Sequence, residues 1–137
     1  MKRFLSVLTL AFALAGCETT PAPSQSVTLY KIEFSGKFFE VGQVEVKPRA
    51  LHTVAPRYPA KQRARHEEGK AVVALIVEPD GSLSEIQVAA ATDPEIGDAA
   101  IASVRQWRFL PGRKDGQPVR VRIEIPIVFT MDDSGLQ

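Results

Sequence analysis

The stretch Pro118-Val119-Arg120-Val121-Arg122-Ile123-Glu124-Ile125-Pro126-Ile127-Val128-Phe129 decides the fold. Val119, Val121, Ile123, Ile125, Ile127 and Phe129 fall on one set of alternate positions, and Arg120, Arg122 and Glu124 on the other. Alternation of period two predicts a β-strand with one buried face and one wet face. Pro126 has no N–H to give to a ladder, so the strand belongs at a sheet edge. Backbone N–H groups alternate sides along a strand. With the missing donor of Pro126 turned outward, residues 120, 122 and 124 are expected to present free N–H groups on the open side.

Upstream, Lys70-Ala71-Val72-Val73-Ala74-Leu75-Ile76-Val77-Glu78 is almost continuously apolar, which suits a central strand covered on both faces. Pro79-Asp80-Gly81 follows, the chemistry of a three-residue hairpin loop with a bulge. Leu83, Ile86 and Val88 then mark a second strand ending near Ala90. Asp93-Pro94 predicts a helix start, aspartate capping free N–H groups and proline taking the first turn. Ile96, Ala100, Ser103 or Val104, and Trp107 follow at helical spacing, with Trp107 as a core anchor. A shorter helix is predicted from Pro59 to about Glu68, stopped by Gly69; its Lys61, Arg63 and Arg65 read as a solvated face. The order helix, strand, strand, helix, strand gives an α+β domain with helices on one sheet face.

Residues 27–46 read as a β-hairpin extension: Tyr30, Ile32 and Phe34 alternate with polar neighbours, Ser35-Gly36-Lys37 makes a turn, and Phe39-Glu40-Val41 and Val44-Glu45-Val46 follow. Residues 18–26 are polar and proline-bearing, a linker reaching about 30 Å when stretched. Ahead of it, Met1-Lys2-Arg3 and the apolar run Phe4 to Gly16 have the pattern of a secretory signal peptide, too short for a spanning helix. Leu14-Ala15-Gly16-Cys17 resembles the lipobox of bacterial lipoproteins. The resemblance implies cleavage after residue 16 and acylation of Cys17, the sole cysteine of the 137 residues. Glu18 at the next position resembles the default that sends a lipoprotein to the outer membrane. Two or more acyl chains make a stable anchor. The organisation is thus a signal peptide at 1–16, a lipidated cysteine and linker at 17–26, the extension at 27–46, a domain at 47–131 and a tail at 132–137.

Several motifs, taken in order, resemble the C-terminal domain of TonB, the periplasmic energy transducer. They are Pro56-Arg57-Tyr58-Pro59-Ala60, Glu68-Gly69, Pro79-Asp80-Gly81, Trp107-Arg108-Phe109-Leu110-Pro111-Gly112 and the alternating last strand, together covering about residues 55–130. The resemblance implies a three-stranded antiparallel sheet with the first of the strands in the middle and two helices on one face. It also implies that the domain grips an extended segment of an envelope protein, a TonB-dependent outer-membrane transporter, as a strand added beside the last one. The partner-binding residues would be Arg120, Arg122 and Glu124 on that strand, with Arg57 and Tyr58. The polar residue that precedes the Pro-x-Tyr-Pro stretch in the family is Ala55 here. The family's spanning helix and long proline-rich rod have no counterpart in the sequence, so a tethered binding domain is expected in place of a force transmitter.

The alternative is a structural envelope lipoprotein whose edge is closed by residues 27–46 or by homodimerisation, since exposed edges are commonly covered. Catalysis is not expected. His52 and His66 form no paired-histidine zinc motif, and no Gly-x-Ser-x-Gly elbow or phosphate-cradling glycine loop occurs. Asp80 and Asp115 each precede glycine for backbone reasons. No metal and no cofactor is implied. Loss of Lys2 and Arg3 with the signal peptide leaves a net charge of about −1, which gives no footprint for nucleic acid.

Overall fold

The computed structural model describes residues 25–131. The signal peptide, Cys17, most of the linker and the tail at 132–137 lie outside the described residues. In chain order the elements are β1 (Thr28–Leu29), β2 (Phe39–Glu40), one 3₁₀ turn (Val41–Gln43), β3 (Arg49–His52), α1 (Ala60–Ala64), β4 (Gly69–Val77), β5 (Leu83–Ala91), α2 (Pro94–Val104), β6 (Arg108–Leu110), β7 (Gly112–Lys114), β8 (Gln117–Val119) and β9 (Val121–Phe129). The main sheet has the order β1-β5-β4-β9-β2.

Its centre is the expected antiparallel trio. β4 pairs with β9 without interruption from Gly69↔Phe129 to Val77↔Val121, and with β5 from Ala71↔Ala91 to Val77↔Leu83. The apolar run of β4 is covered on both faces, with Val73, Ala74, Leu75, Ile76 and Val77 wholly buried. On one face α2 interleaves Ile96, Ala100 and Val104 with Val73, Leu75, Ile127 and Phe129. The loop after β4 has the expected form. Glu78 and Ser82 close it through Glu78 N–H to Ser82 O at 2.8 Å, and Gly81 N–H turns back to Glu78 O at 2.9 Å. Gly81 has φ +85°, and a Cβ there would stand 2.3 Å from the Phe109 carbonyl oxygen.

Asp93 caps α2, its carboxylate accepting from Glu95 N–H at 2.8 Å, with Pro94 in the first turn. Replacing Asp93 with alanine is expected to destabilise the domain by about 1 kcal/mol, read from the urea midpoint at unchanged slope. The first helix is shorter than the sequence suggests. Pro59 stays extended ahead of it, and His66 at φ +54° ends it, so Glu67 and Glu68 fall outside.

Two expectations need correction. Residues 27–46 form no hairpin. β1 runs antiparallel to β5, Thr28↔Ala91 and Leu29↔Ala90, whereas β2 runs parallel to β9, Phe39↔Val121 and Glu40↔Arg122. The two strands therefore sit on opposite edges of one sheet, and the chain between them crosses the face away from α2. We call this crossing segment, residues 30–38, the strap. The turn at Ser35-Gly36-Lys37 exists, with Gly36 at φ +72°, but it closes around a side chain of β9's entry instead of against a second strand. The predicted last strand is also broken. β8 ends at Val119 and pairs back on β7 (Gly112↔Val119, Lys114↔Gln117), turning through Asp115 at φ +52° and Gly116 at φ +77°. Two successive positive φ values are what a two-residue hairpin turn requires. Arg120 is left between β8 and β9.

Candidate functional site

β9 is an edge of the antiparallel trio, and its register with β4 fixes which backbone groups look outward. Pro126 opposes Val72 in a pair that needs no N–H toward β4, so its lack of a donor costs the sheet nothing. The same parity turns the N–H and C=O groups of Arg122, Glu124 and Val128 outward. β2 occupies the first stretch of this row: Phe39 N–H donates to Arg120 O at 2.9 Å, and the pairing ends at Glu40↔Arg122. Among the described residues, no strand pairs with the outer side of β9 beyond Arg122. The expectation of free N–H groups at 120, 122 and 124 is thus corrected for Arg122, whose outward side faces β2, and Arg120 lies ahead of β9 with its carbonyl taken by Phe39. The open outward groups are the N–H of Glu124 and Val128 and the C=O of Glu124, Pro126 and Val128. The Val128 side chain is 54% exposed.

The arginines expected to meet a partner hold the strap. Arg120 Nε donates to both oxygens of Glu78 at 3.1 and 3.0 Å. Its Nη1 reaches Ser35 O at 3.0 Å and Lys37 O at 3.1 Å, and Nη2 reaches Glu85 Oε1 at 3.0 Å. A side chain at Gly36 would stand 2.9 Å from Nη1, so glycine lets the two carbonyls converge on the guanidinium. Glu85 accepts from Ser35 N–H at 2.7 Å and from Ser35 Oγ at 2.9 Å. Arg122 lies over the Phe34 ring, 5.5 Å from its centroid, pairs with Glu40 at 3.2 Å, and also pairs with Glu124. Gln87 and Glu33 exchange two further hydrogen bonds, at 3.2 and 2.6 Å. The groups facing the strap from β5, β9 and the residue before β9 are therefore polar, and the strap is their solvent shield.

The Glu85 carboxyl is held below the ordinary carboxylate range, chiefly by the Ser35 N–H and then the Ser35 hydroxyl, with Arg120 adding to them against the opposing effect of burial. A depressed folded-state pKa contributes stability that is complete above the unfolded-state value and is lost as pH falls through the folded one. The thermal midpoint is accordingly expected to be flat from about pH 8 to pH 6 and to fall below about pH 4.5. In Glu85→Gln the acid decline should be shallower. Glu45 and Asp80 are lowered as well, so some of the decline should persist in that variant; an identical acid slope in both proteins would exclude Glu85 as a contributor.

Tyr58 and Arg57 lie elsewhere. The Tyr58 ring meets Phe129 edge-on at 5.7 Å, and its hydroxyl donates to Glu67 O. Burial, then Glu68 and Glu67, raises its pKa. It therefore ties the segment before α1 to the far end of β9. Arg57 is exposed and lines a groove of about 800 Å³ against α2 with Arg63, Glu95, Asp98 and Gln106. Trp107 is a half-buried anchor. Its Nε1–H donates to Val54 O at 2.9 Å and to Ser103 Oγ at 3.2 Å, and it stacks on Phe109 at 6.3 Å. Among the described residues no group of three His, Cys, Asp or Glu could hold a metal, and no helix is long and apolar enough to cross a membrane.

Phe34 and Ser35 of the strap and Glu40 of β2 are visible in the sequence only as parts of a local pattern, and nothing in that pattern announces their contacts with Arg120, Arg122 and Glu85. The Arg120–Ser35 contact joins positions 85 apart.

A three-strand antiparallel centre, a helix on one face and a partly open terminal strand define a small α+β domain of the TonB C-terminal kind. The model of the family described as Gram-negative bacterial TonB protein C-terminal matches residues 54–131, and the chain belongs to that family. It is 35% identical over 80 residues to Protein TonB of Vibrio cholerae, covering 58% of this chain and 33% of that protein. It is 35% identical over 83 residues to Protein tonB2 of Pseudomonas aeruginosa, covering 60% and 31%. The chain therefore spans about a third of the length of these curated relatives. The solution NMR structure of the Pseudomonas aeruginosa TonB C-terminal domain superposes with a TM-score of 0.51 at 25% identity, covering 63% of this chain and 88% of that one.

Proposed function

We propose that this protein is a membrane-tethered binding domain that captures an extended segment of a TonB-dependent outer-membrane transporter, or a related envelope protein, as a strand added along the outer side of β9. The observation that carries the reading is the unpaired row of Glu124, Pro126 and Val128, in a chain of the TonB C-terminal family. Main-chain hydrogen bonds would supply affinity, and alternate side chains of the guest specificity. The tether would be an acylated Cys17, placing the domain on the periplasmic side of the envelope, at the outer membrane. The family is a non-enzymatic one, and the geometry described above is suited to holding a peptide.

One observation favours the structural alternative: β2 covers some of the edge. It covers only the positions facing Phe39 and Glu40, and most of β9's outer side stays open, so the binding role is preferred. The test is titration of the full chain with synthetic peptides of about ten residues tiling the periplasm-facing segments of TonB-dependent transporters. Micromolar binding with new amide protection at Glu124 and Val128 supports the reading. Absence of binding across the tiled set, with self-pairing through β9 found by crosslinking from position 128, transfers the role to the homodimer. Incorporation of an alkyne fatty acid, abolished by Cys17→Ser, tests the tether.

A further inference from the structure

We propose that β2 with its 3₁₀ turn is a fixed end-stop that confines a guest strand to the stretch of β9 beyond Arg122 and sets its register there. The inference rests on strand addition at β9. β2 lies in the same row that a guest would enter, parallel to β9 and ending beside Arg122. Immediately after Glu40 the chain turns out of the row: Val41–Gln43 form the 3₁₀ turn, and Glu40 N–H is satisfied by Gln43 Oε1 at 2.8 Å. A guest lengthened toward the start of β9 therefore meets covalent chain in place of free backbone.

Whether such a short strand blocks or yields depends on its fastening, and β2 is fastened on both sides. Upstream, the strap is gripped by Arg120 through Ser35 O and Lys37 O and by Glu85 through Ser35. At β2 itself, Lys114 Nζ lies 5.6 Å from the Phe39 ring centroid and Arg122 pairs with Glu40. Downstream, Lys114 Nζ donates to Gln43 O at 3.0 Å, and Asp115 N–H donates to Glu45 Oε2 at 3.2 Å. Val44 is buried, and Val46 and Arg113 exchange backbone hydrogen bonds at 3.1 and 2.8 Å. A guest that displaced β2 would gain only the few ladder bonds that β2 now makes, and would have to break charge-assisted contacts on either side of it. The row left to the guest runs from the turn to the end of β9 and accommodates about six residues at the rise of a strand. Near its middle, Pro126 offers an acceptor and no donor.

The experiment uses the full chain, isotopically labelled, with the tightest-binding transporter peptide from the tiled set and its truncations from about six to ten residues. On saturation the Glu124 and Val128 amides are expected to gain at least tenfold protection from exchange, while the Phe39 and Arg122 amides keep the protection they had. Affinity should level off at about six or seven residues. In Phe39→Pro, which removes the N–H given to Arg120 O, the longer peptides should gain roughly tenfold over the shorter ones. If Phe39 loses protection as peptide binds, the guest displaces β2 and the end-stop is overturned while strand addition stands. If peptide binds and neither Glu124 nor Val128 changes, strand addition at β9 itself is overturned, and the end-stop with it.

Discussion

Replacing Val128 with proline is expected to weaken capture of an extended peptide by roughly tenfold while leaving the domain folded. The position isolates the outer row. Val128 opposes Lys70 in a pair whose backbone groups face away from β4, and Lys70 gives its own carbonyl to Thr92 N–H at 2.9 Å on the β5 side. The lost N–H is thus one that only a guest would use. A guest carbonyl left without its donor costs about 1–3 kcal/mol, which covers a tenfold change in affinity. Glu124→Pro should act similarly, and the double variant by about 100-fold, because with Pro126 it leaves the row with acceptors only. Val128→Thr keeps the N–H and is the control. Calorimetric titration measures the affinity and far-ultraviolet circular dichroism the fold. Unchanged affinity in the double variant, with folding intact, would exclude β9's outer side as the docking surface. Arg122 is a poor site for the same experiment, since its outward N–H faces β2 and a proline there would disturb the strap.

The second large effect is on stability. Arg120→Ala is expected to lower the stability of the domain by about 2–3 kcal/mol, a fall of roughly 10 °C in the midpoint. Its side chain is 26% exposed, so the loss should fall below that of a fully buried pair and above that of a surface bridge. Removing it leaves Glu78 and Glu85 facing one another and strands the carbonyls of Ser35 and Lys37. Arg120→Lys keeps one charge but not the planar fork that meets four residues together, and should recover less than half of the loss. The exchange of the Ser35 and Phe39 amides should rise well before the β4 amides change. A uniform rise across the sheet would mean that the strap and the core unfold as one unit.

The trio at the centre of the fold is legible because each strand carries its own local pattern. β4 is apolar on both faces because both are covered, and β9 alternates because α2 covers one face while charged side chains occupy the other. Asp93-Pro94 and Pro79-Asp80-Gly81 state their turns in the residues themselves. The break at Arg120 is not legible, since the alternation runs through it. The Asp115-Gly116 pair reads as a turn, yet the short hairpin it closes depends on Gly112, where a Cβ would stand 2.6 Å from a Val121 methyl. Residues 27–46 mislead for a related reason. Their alternation and their glycine turn are real, but pairing partners are chosen by distant residues, β5 for Thr28 and β9 for Phe39. The wet face of β9 is covered only at its start, where Phe34 of the strap lies against Arg122, a contact between residues far apart in the chain, while Glu124, Pro126 and Val128 stay exposed.

The strap also determines how the molecule would respond to being pulled. Tension entering from the chain ahead of β1 meets first the short β1–β5 pairing, whose bonds would open in succession as a zipper does. Next in line is the crossing, which tightens around the guanidinium at its midpoint. A guest hauled along β9 would load the uninterrupted β4–β9 ladder directly, whereas the line back to the chain ahead of β1 runs through the few contacts of the strap. The mechanical fuse of this domain therefore lies in its wrapping, and its sheet would keep hold of the cargo after the wrapping had begun to slip.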